Sequence, residues 1–329
     1  MLFFKRTQKV TLSYLFNLFS FLFLIFILTL FVSLLFGGVQ LSFSDFFQTE
    51  NSAILYNIRL PRLLADFMVG GSLSIVGMAF QTFFRNPLAD PYILGISGAA
   101  AIGVVISLLI GLDLIVYRQL LSFLFAMTTI FIIYTFSCGI NKITINALIL
   151  IGVGLNFFFA SVITFFNAVM SDKFTKNILM WYMGDTTLLD LHTVIIVLSI
   201  VIVFSFILYM ESPKLNIYLL GDEITTTSGI NINRLSLKIY IISSIITALT
   251  VSLCGAIGFV GIIVPHIVKI IFGMDHRINM LSAFFMGGIF VIIVDTFFKV
   301  LCYPYEVPLG AITAIIGTPV FLYLVRHKI

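Results

Sequence analysis

Long apolar segments separated by short polar breaks dominate this sequence, as in 15–36 and 193–210. About 20 consecutive apolar residues are enough for an α-helix to cross the hydrocarbon core of a bilayer. Only 10% of the residues are charged, whereas a soluble domain carries about 25%. The apolar runs are continuous and do not alternate with polar residues, which argues against a transmembrane β-barrel. The sequence therefore predicts an all-α membrane protein.

We expect about ten transmembrane helices within a single transmembrane domain that covers residues 1–329. They are predicted near 12–36, 60–84, 92–111, 114–138, 144–170, 192–210, 237–257, 259–273, 279–302 and 307–325. The segment 259–273 is the shortest of the ten, so it is the one least expected to cross the bilayer completely.

The distribution of basic residues sets the expected orientation, because cytoplasmic loops of membrane proteins are enriched in Lys and Arg. Ten spans with the N-terminus in the cytoplasm place twelve basic residues inside and six outside. The inner set is Lys5, Arg6, Lys9, Arg85, Lys142, Lys214, Arg234, Lys238, Lys269, Arg277, Arg326 and Lys328, and the outer set is Arg59, Arg62, Arg118, Lys173, Lys176 and Lys299. We therefore expect a multi-pass protein of the inner (cytoplasmic) membrane with both termini in the cytoplasm. The net charge of +4 then follows from topology, and nucleic acid is not an expected partner.

One sizeable polar stretch, residues 211–238, interrupts the apolar pattern. A chain that lacks a soluble domain is expected to use such a stretch to meet a soluble partner. The sequence contains no G-x-x-x-x-G-K-[ST] phosphate-binding motif and no Gly-Lys dipeptide. Any nucleotide that drives this protein must therefore bind another subunit, and we do not expect the chain itself to be an enzyme.

Cysteine and histidine residues form no metal-binding pattern in the sequence. Cys138, Cys254 and Cys302 are far apart and lie in or beside apolar runs. His266 and His276 have no second ligand at the spacing that a metal site requires. We therefore expect no cofactor or metal, and we interpret the two histidines as structural.

Small residues cluster in several of the predicted spans, as at 70–77, 95–103 and 255–261. Such residues allow membrane helices to approach closely. Tight helix packing is the first interpretation, and the lining of a transport path is an alternative that is compatible with it.

A series of short motifs, taken together and in order, resembles the FecCD-type permeases, which are the membrane subunits of ABC importers for iron-siderophores, haem and cobalamin. The motifs are RLPR at 59–62, RNPLA at 85–89, WYMG at 181–184, LLGDE at 219–223, GAIGFVG at 255–261, DHR at 275–277, EVPLG at 306–310 and GTPVF at 317–321. They extend over nearly the whole chain.

The resemblance implies a homodimer of ten-span subunits embedded in membrane lipid, with the transport path along the dimer axis. Two cytoplasmic ATP-binding cassette subunits would dock below, and a substrate-binding protein would dock outside. The expected cargo is an iron-siderophore or a similar metal chelate, with haem and cobalamin as alternatives. Selectivity among these cargoes is expected to reside mainly in the binding protein.

The resemblance also assigns a role to the polar stretch. It implies that 211–238 contains two short coupling helices that contact the ATPase subunits, with Gly221 at the contact. Leu219 and Leu220 would supply an apolar anchor, Gly221 would allow close backbone approach, and Asp222 and Glu223 would supply polar contacts.

Basic residues at the outer side are the expected docking site for the binding protein. The resemblance places Arg59 and Arg62 there, with Lys299 as a third position. Contact with phospholipid head groups is the alternative for all three. The resemblance also implies a cytoplasmic gate at Thr144 and Asn146.

Two acidic residues lie within predicted spans, where a lone carboxylate at the bilayer centre would cost about 2.5–3.5 kcal/mol. Asp66 follows Arg62 by four residues, and Lys299 follows Asp295 by four, so each pair can share one helix face. We therefore predict local ion pairs. The rival hypothesis is an ion-coupled secondary transporter that acts alone through these carboxylates, but it requires internal inverted repeats and leaves the polar stretch unexplained.

Overall fold

The computed structural model describes residues 11–37, 54–112, 114–139, 142–170, 172–187 and 189–328. These residues form thirteen α-helices and one antiparallel pair of two-residue strands, β1 (Cys138–Gly139) and β2 (Lys142–Ile143). The helices are α1 (Leu12–Leu35), α2 (Leu60–Phe83), α3 (Ile96–Leu109), α4 (Ile115–Ser137), α5 (Ile145–Val169), α6 (Asp172–Tyr182), α7 (Leu191–Met210), α8 (Ser212–Tyr218), α9 (Asp222–Thr227), α10 (Ile232–Cys254), α11 (Val260–Phe272), α12 (His276–Leu301) and α13 (Leu309–Lys328).

Each of the ten predicted spans corresponds to a helix, which confirms the all-α fold class. Seven helices of the described part are long and apolar enough to cross a membrane, and α3, α11 and α13 are shorter apolar helices. The 13 residues of α11 extend about 20 Å at 1.5 Å per residue, less than the roughly 30 Å hydrocarbon core. The prediction that this segment is the shortest span is therefore confirmed. The basic residues Lys5, Arg6 and Lys9 lie outside the described residues.

The helix boundaries differ from the predictions in three places. A five-residue π-helical turn, Leu55–Arg59, precedes α2 and extends it at its N-terminal end. Helix α10 begins at Ile232, five residues earlier than predicted, because the Asn231 side chain accepts a hydrogen bond from the Arg234 amide at 3.0 Å and so caps the helix. Helix α6 was not predicted, because its mixed polar and apolar composition did not stand out as a span.

Helix α2 is the centre of the bundle. Of its most apolar 18-residue window, 94% is buried, compared with 17% for α5. It packs against α12, α10, α11 and α7. The helix therefore has protein on every side, whereas α5 leaves most of its surface for lipid or for another chain.

Glycine residues permit the closest helix contacts around α2. A Cβ atom added at Gly70 would collide with the Gly287 backbone of α12, and one added at Gly77 would collide with the Gly261 backbone of α11. Because the colliding atoms belong to backbone, no side-chain rotation could relieve them. The small-residue clusters in these helices therefore serve close packing, the first of the two interpretations of the sequence.

Candidate functional site

The polar stretch after α7 folds into two short helices, α8 and α9, as the resemblance implied. Pro213 stands in the first turn of α8, where its missing amide hydrogen costs no helical bond. Gly221 separates the two helices with a φ of +115°, a conformation that residues with a side chain rarely adopt. The Thr225 hydroxyl donates to the Gly221 carbonyl at 2.6 Å and closes the turn.

The turn between α8 and α9 presents an apolar and acidic surface. Leu219 and Leu220 are 45% and 64% exposed. Asp222 and Glu223 are exposed in the first turn of α9, where acidic side chains favour the helix N-terminus. An added Cβ atom at Gly221 would meet nothing within 4 Å. All five residues predicted for ATPase coupling therefore lie together, with open space in front of Gly221.

Ion pairs attach this surface to the bundle. Glu211, at the end of α7, is 3.0 Å from Lys238 of α10 and 2.6 Å from Lys214 of α8. Burial favours the neutral form of the Glu211 carboxyl, but the hydrogen bonds from the two lysines outweigh burial and lower its pKa. Arg85, after α2, forms an ion pair with Asp222 and lies over the Tyr218 ring at 4.6 Å.

A second set of hydrogen bonds joins α8 to the interior. The Asn216 Nδ2 atom donates to Asp275 Oδ1 at 2.8 Å, and Asn216 Oδ1 lies 2.8 Å from His276 Nδ1. The His276 Nε2 atom lies 2.6 Å from the Thr82 hydroxyl, near the end of α2. Burial would raise the pKa of Asp275, but hydrogen bonds from Arg277 and Asn216 prevail and lower it to about 2, so this carboxyl is ionised at neutral pH.

The N-terminal end of α2, which the sequence predicts to be the outer end, contains a buried ion pair between helices. Arg62 donates to Asp295 of α12 through Nε at 2.9 Å and through NH2 at 2.7 Å. Glu306, which is exposed, lies 3.9 Å from the same guanidinium. Asp66, one helical turn deeper, is fully buried, and neither of its carboxylate oxygens makes a hydrogen bond among the described residues.

The local ion pairs predicted from four-residue spacing are therefore wrong. Arg62 pairs across the helix interface with Asp295 instead of with Asp66, and no ion pair joins Asp295 to Lys299 in the described part of the chain. The physical reason is the distance between α2 and α12. Glycine residues bring the two backbones so close that the Arg62 side chain reaches the neighbouring helix.

The residues predicted for docking lie near the N-terminal end of α2 and the C-terminal end of α12, but they differ in accessibility. Arg59 and Arg62 are only 4% and 6% exposed. Arg59 NH1 donates to the Leu34 carbonyl at 2.6 Å, near the C-terminal end of α1, where a cation is favourable. Lys299 is half-buried and is the most accessible cation of the three.

The predicted gate residues lie at one end of α5. Thr144 precedes the helix in an extended conformation, and Asn146 belongs to its first turn. Both are exposed and follow the β1–β2 pair directly. Among the described residues, no group of three His, Cys, Asp or Glu side chains could hold a metal ion.

Two residues of the inner network were missed by the sequence analysis. Thr82 and Asn216 are 134 positions apart and carry no motif that would link them. The polar character of residues 211–231 was the only available signal for Asn216, and Thr82 had none.

Comparisons with known proteins agree with this architecture. The sequence profile of the FecCD transport family matches residues 24–327. The chain is 36% identical over 275 residues to the cobalamin import system permease protein BtuC of Halobacterium salinarum, covering 84% of this chain and 74% of the relative. It is 30% identical over 301 residues to the hemin transport system permease protein HmuU of Yersinia pestis, covering 89% and 90%.

A solved structure shows the same fold. It is described as an inward-facing conformation of a metal-chelate type ABC transporter, and it superimposes with a TM-score of 0.84 at 26% identity, covering 95% of this chain and 99% of its own. The profile match extends over more than nine-tenths of the sequence, and two relatives reach 30% identity over most of both chains. The chain therefore belongs to the FecCD transport family of ABC importer permeases.

Proposed function

We propose that this permease carries an iron-siderophore or a similar metal chelate inward, driven by ATP that separate subunits hydrolyse. Two copies of the chain would form the path, two ATP-binding cassette subunits would dock on the α8–α9 surface, and a substrate-binding protein would dock outside. The observation that carries this proposal is the α8–α9 surface itself. Leu219 and Leu220 are exposed there next to a turn that only glycine fits.

Exposed leucines at a polar surface indicate a protein contact. Apolar residues that stay exposed beside polar ones commonly mark protein–protein interaction sites. Leu220 makes this contact testable without disturbing the fold, because its side chain is mostly exposed. Gly221 is a poorer test position, since any side chain there also strains the backbone.

A paired substitution at Leu220 tests the coupling surface. Leu220→Asp should prevent copurification of the ATPase subunits, because it places a charge in an apolar contact, and Leu220→Met should retain them. The chain, the ATPase and the binding protein are coexpressed from their own genes, and both copurification and uptake are measured. Copurification and uptake at the unsubstituted level with Leu220→Asp would contradict the proposal.

The substrate class follows from the relatives and is open to direct test. Relatives of this chain are permeases for cobalamin, hemin and Fe(3+)-citrate, and all three cargoes are metal chelates. Uptake of iron-55 as a hydroxamate or catecholate siderophore, of haem and of cobalamin is compared in cells with and without the complex. We expect the complex to increase uptake of the siderophore alone. Increased uptake of haem or cobalamin instead would identify that compound as the substrate.

The same proposal includes an inner-membrane location with both termini in the cytoplasm. It is supported by the twelve-to-six distribution of basic residues. Thr226→Cys on α9 should be labelled by an impermeant thiol reagent only from the cytoplasm, and Tyr305→Cys, before α13, only from outside. Both positions are exposed. Labelling of both from one side would contradict the topology.

For the binding protein, we propose docking on the outer cations Arg59, Arg62 and Lys299, with Lys299 as the first point of contact. It is the most accessible of the three. For the gate, we propose Thr144 and Asn146, which are exposed at the start of the weakly buried helix α5.

A further inference from the structure

A continuous line of hydrogen bonds runs from the surface helix α8 to the central helix α2. It passes through Asn216, His276 and Thr82, with heavy-atom distances of 2.8 Å and 2.6 Å. His276 and Thr82 are almost completely buried, while Asn216 is half-buried. We refer to these three hydrogen-bonded side chains as the Asn216–Thr82 chain, and in this subsection "the chain" without further description means this chain of hydrogen bonds.

The donors and acceptors of this chain can be assigned from one fixed end. The Asp275 carboxylate can only accept hydrogen bonds, so the amide nitrogen of Asn216 must face it. Asn216 Oδ1 therefore faces His276, and it accepts from the His276 backbone amide at 2.8 Å as well as from Nδ1–H. In the neutral imidazole the other ring nitrogen, Nε2, is then an acceptor, and Thr82 donates its hydroxyl hydrogen to it.

With this assignment, each of the three side chains depends on its neighbour for a hydrogen-bond partner. If Asn216 moved with α8, Nδ1 of His276 would lose its acceptor. If the imidazole followed Asn216, the Thr82 hydroxyl could turn to the Met78 carbonyl, which lies 3.1 Å away in its own helix, but Nε2 of His276 would then be buried without a donor. A buried polar group without a partner is costly, so a displacement of α8 is favoured to carry the end of α2 with it.

The neighbouring side chains extend the contact from α2 to α11. Gln81, beside Thr82, accepts from Lys269 Nζ at 2.7 Å and donates to the Gly261 carbonyl at 3.3 Å. Two other connections join the surface to the end of α2. The Tyr218 hydroxyl donates to the Phe83 carbonyl at 3.4 Å, which is long for a hydrogen bond, and the ion pair between Arg85 and Asp222 is exposed on both sides. An exposed ion pair is weakened by water and salt, so the buried chain is the stiffer connection.

We propose that His276 and Thr82 are positioning residues that transmit movement of the α8–α9 surface to the central helix α2, and hence to the outer mouth of the path. The inference rests on the proposed function, in which the ATPase subunits move that surface. It assigns a dynamic role to His276, which the sequence indicated only as structural.

The test compares Thr82→Val, which removes the hydroxyl at nearly constant shape, with Thr82→Ser, which retains it. Thr128→Val serves as a matched control, because the Thr128 hydroxyl is exposed on α4 and bonds only to Phe125 of its own helix. The reporter is Tyr303→Cys, an exposed position after α12, in a background in which Cys138, Cys254 and Cys302 are replaced by Ala. The purified permease–ATPase complex is labelled with a maleimide, with MgATP plus vanadate and without nucleotide.

In the complex without further substitution and in Thr82→Ser and Thr128→Val, nucleotide should change the labelling rate at position 303. In Thr82→Val, the ATPase subunits should remain bound and hydrolyse ATP, while the nucleotide-dependent change shrinks about fivefold, the factor that corresponds to one lost hydrogen bond. A full change in Thr82→Val would overturn the inference. Release of the ATPase subunits by Thr82→Val would also overturn it. So would a reduction of the nucleotide-dependent change in Thr82→Ser as large as that in Thr82→Val.

Two further results separate the possible failures. If the unsubstituted complex shows no nucleotide-dependent change at position 303, the proposed function fails and not merely this inference. If Thr82→Val does not accumulate as folded protein, Asn216→Ala carries the same test from the half-buried end of the chain. A full nucleotide-dependent change in Asn216→Ala would then overturn the inference.

Discussion

The two ends of α2 hold buried polar side chains in opposite ways. At the inner end, Thr82 and His276 each have a partner, and the hydrogen bonds continue to the surface. At the outer end, Arg62 and Asp295 satisfy each other, but Asp66 is buried with no hydrogen bond to either oxygen. One helix thus contains a fully satisfied network and an incompletely satisfied one. Because a partly satisfied buried network is less stable than an apolar core, the outer end is where this fold gives up stability.

The largest effect on the free energy of unfolding should come from removing the Arg62 guanidinium, which lies close to both Asp295 and Glu306. Arg62→Met leaves Asp295 buried without its partner and should lower the free energy of unfolding by about 3–5 kcal/mol. The measurement is thermal or denaturant unfolding of the permease in detergent micelles. Arg62→Met combined with Asp295→Leu should recover most of the loss, because no buried charge then remains unpaired. A double variant as unstable as the single one would contradict this account.

A gain in stability is expected when the unsatisfied carboxyl itself is replaced. Asp66→Leu should raise the free energy of unfolding by about 1–3 kcal/mol, since it removes a buried polar group that has no partner. Asp66→Asn separates charge from shape, and its effect should lie between that of the natural residue and that of Leu. Destabilisation by both variants in the same unfolding experiment would contradict this account.

The inner end should respond with the opposite sign. Thr82→Val leaves the His276 Nε2 atom without its donor and should lower the free energy of unfolding by about 1–2 kcal/mol. Thr82→Ser should leave the free energy of unfolding close to that of the natural protein. Unfolding is measured under the same conditions as for the Asp66 variants. A gain in stability with Thr82→Val would remove the difference between the two ends of α2.

The smallest effect on stability is expected at the accessible outer cation. Lys299→Met should change the free energy of unfolding by less than about 0.5 kcal/mol, while it slows association with the binding protein and weakens the dependence of that rate on salt. The measurement is the association rate with the reconstituted complex across a salt series. An unchanged rate and salt dependence would indicate that Lys299 faces lipid head groups.

The spans could be predicted from the sequence because the bilayer imposes a length and a composition on each helix. The brevity of α11 was visible in the sequence as well, since Gly255 and Gly258 precede it and Gly273 and Asp275 follow it. The α8–α9 surface was visible as the one long polar interruption. In each case the property that determines the structure is local in the chain.

The pairing of buried charges could not be predicted in this way. Arg62 and Asp295 are separated by 233 positions, and the spacing of Arg62 to Asp66 indicated the wrong partner. The choice depends on how closely α2 and α12 approach, which Gly70 and Gly287 determine together. The two partners of His276, Thr82 and Asn216, likewise come from two distant segments. Only the packed bundle brings them together.

The glycine contacts around α2 also restrict which parts of the molecule can move independently. Backbone meets backbone between α2, α11 and α12, so no side chain is available there to reorient during a conformational change. The parts of these helices around Gly70, Gly77, Gly261 and Gly287 should therefore move as one rigid body. Thr82 and His276, at the ends of α2 and α12, meet through side chains instead and can shift relative to each other. The hinges of the transport cycle are then expected at the borders of this body. Helix α5, which packs against α3, α4 and α6 and has 17% of its apolar window buried in this chain, is one of the helices that can move relative to it.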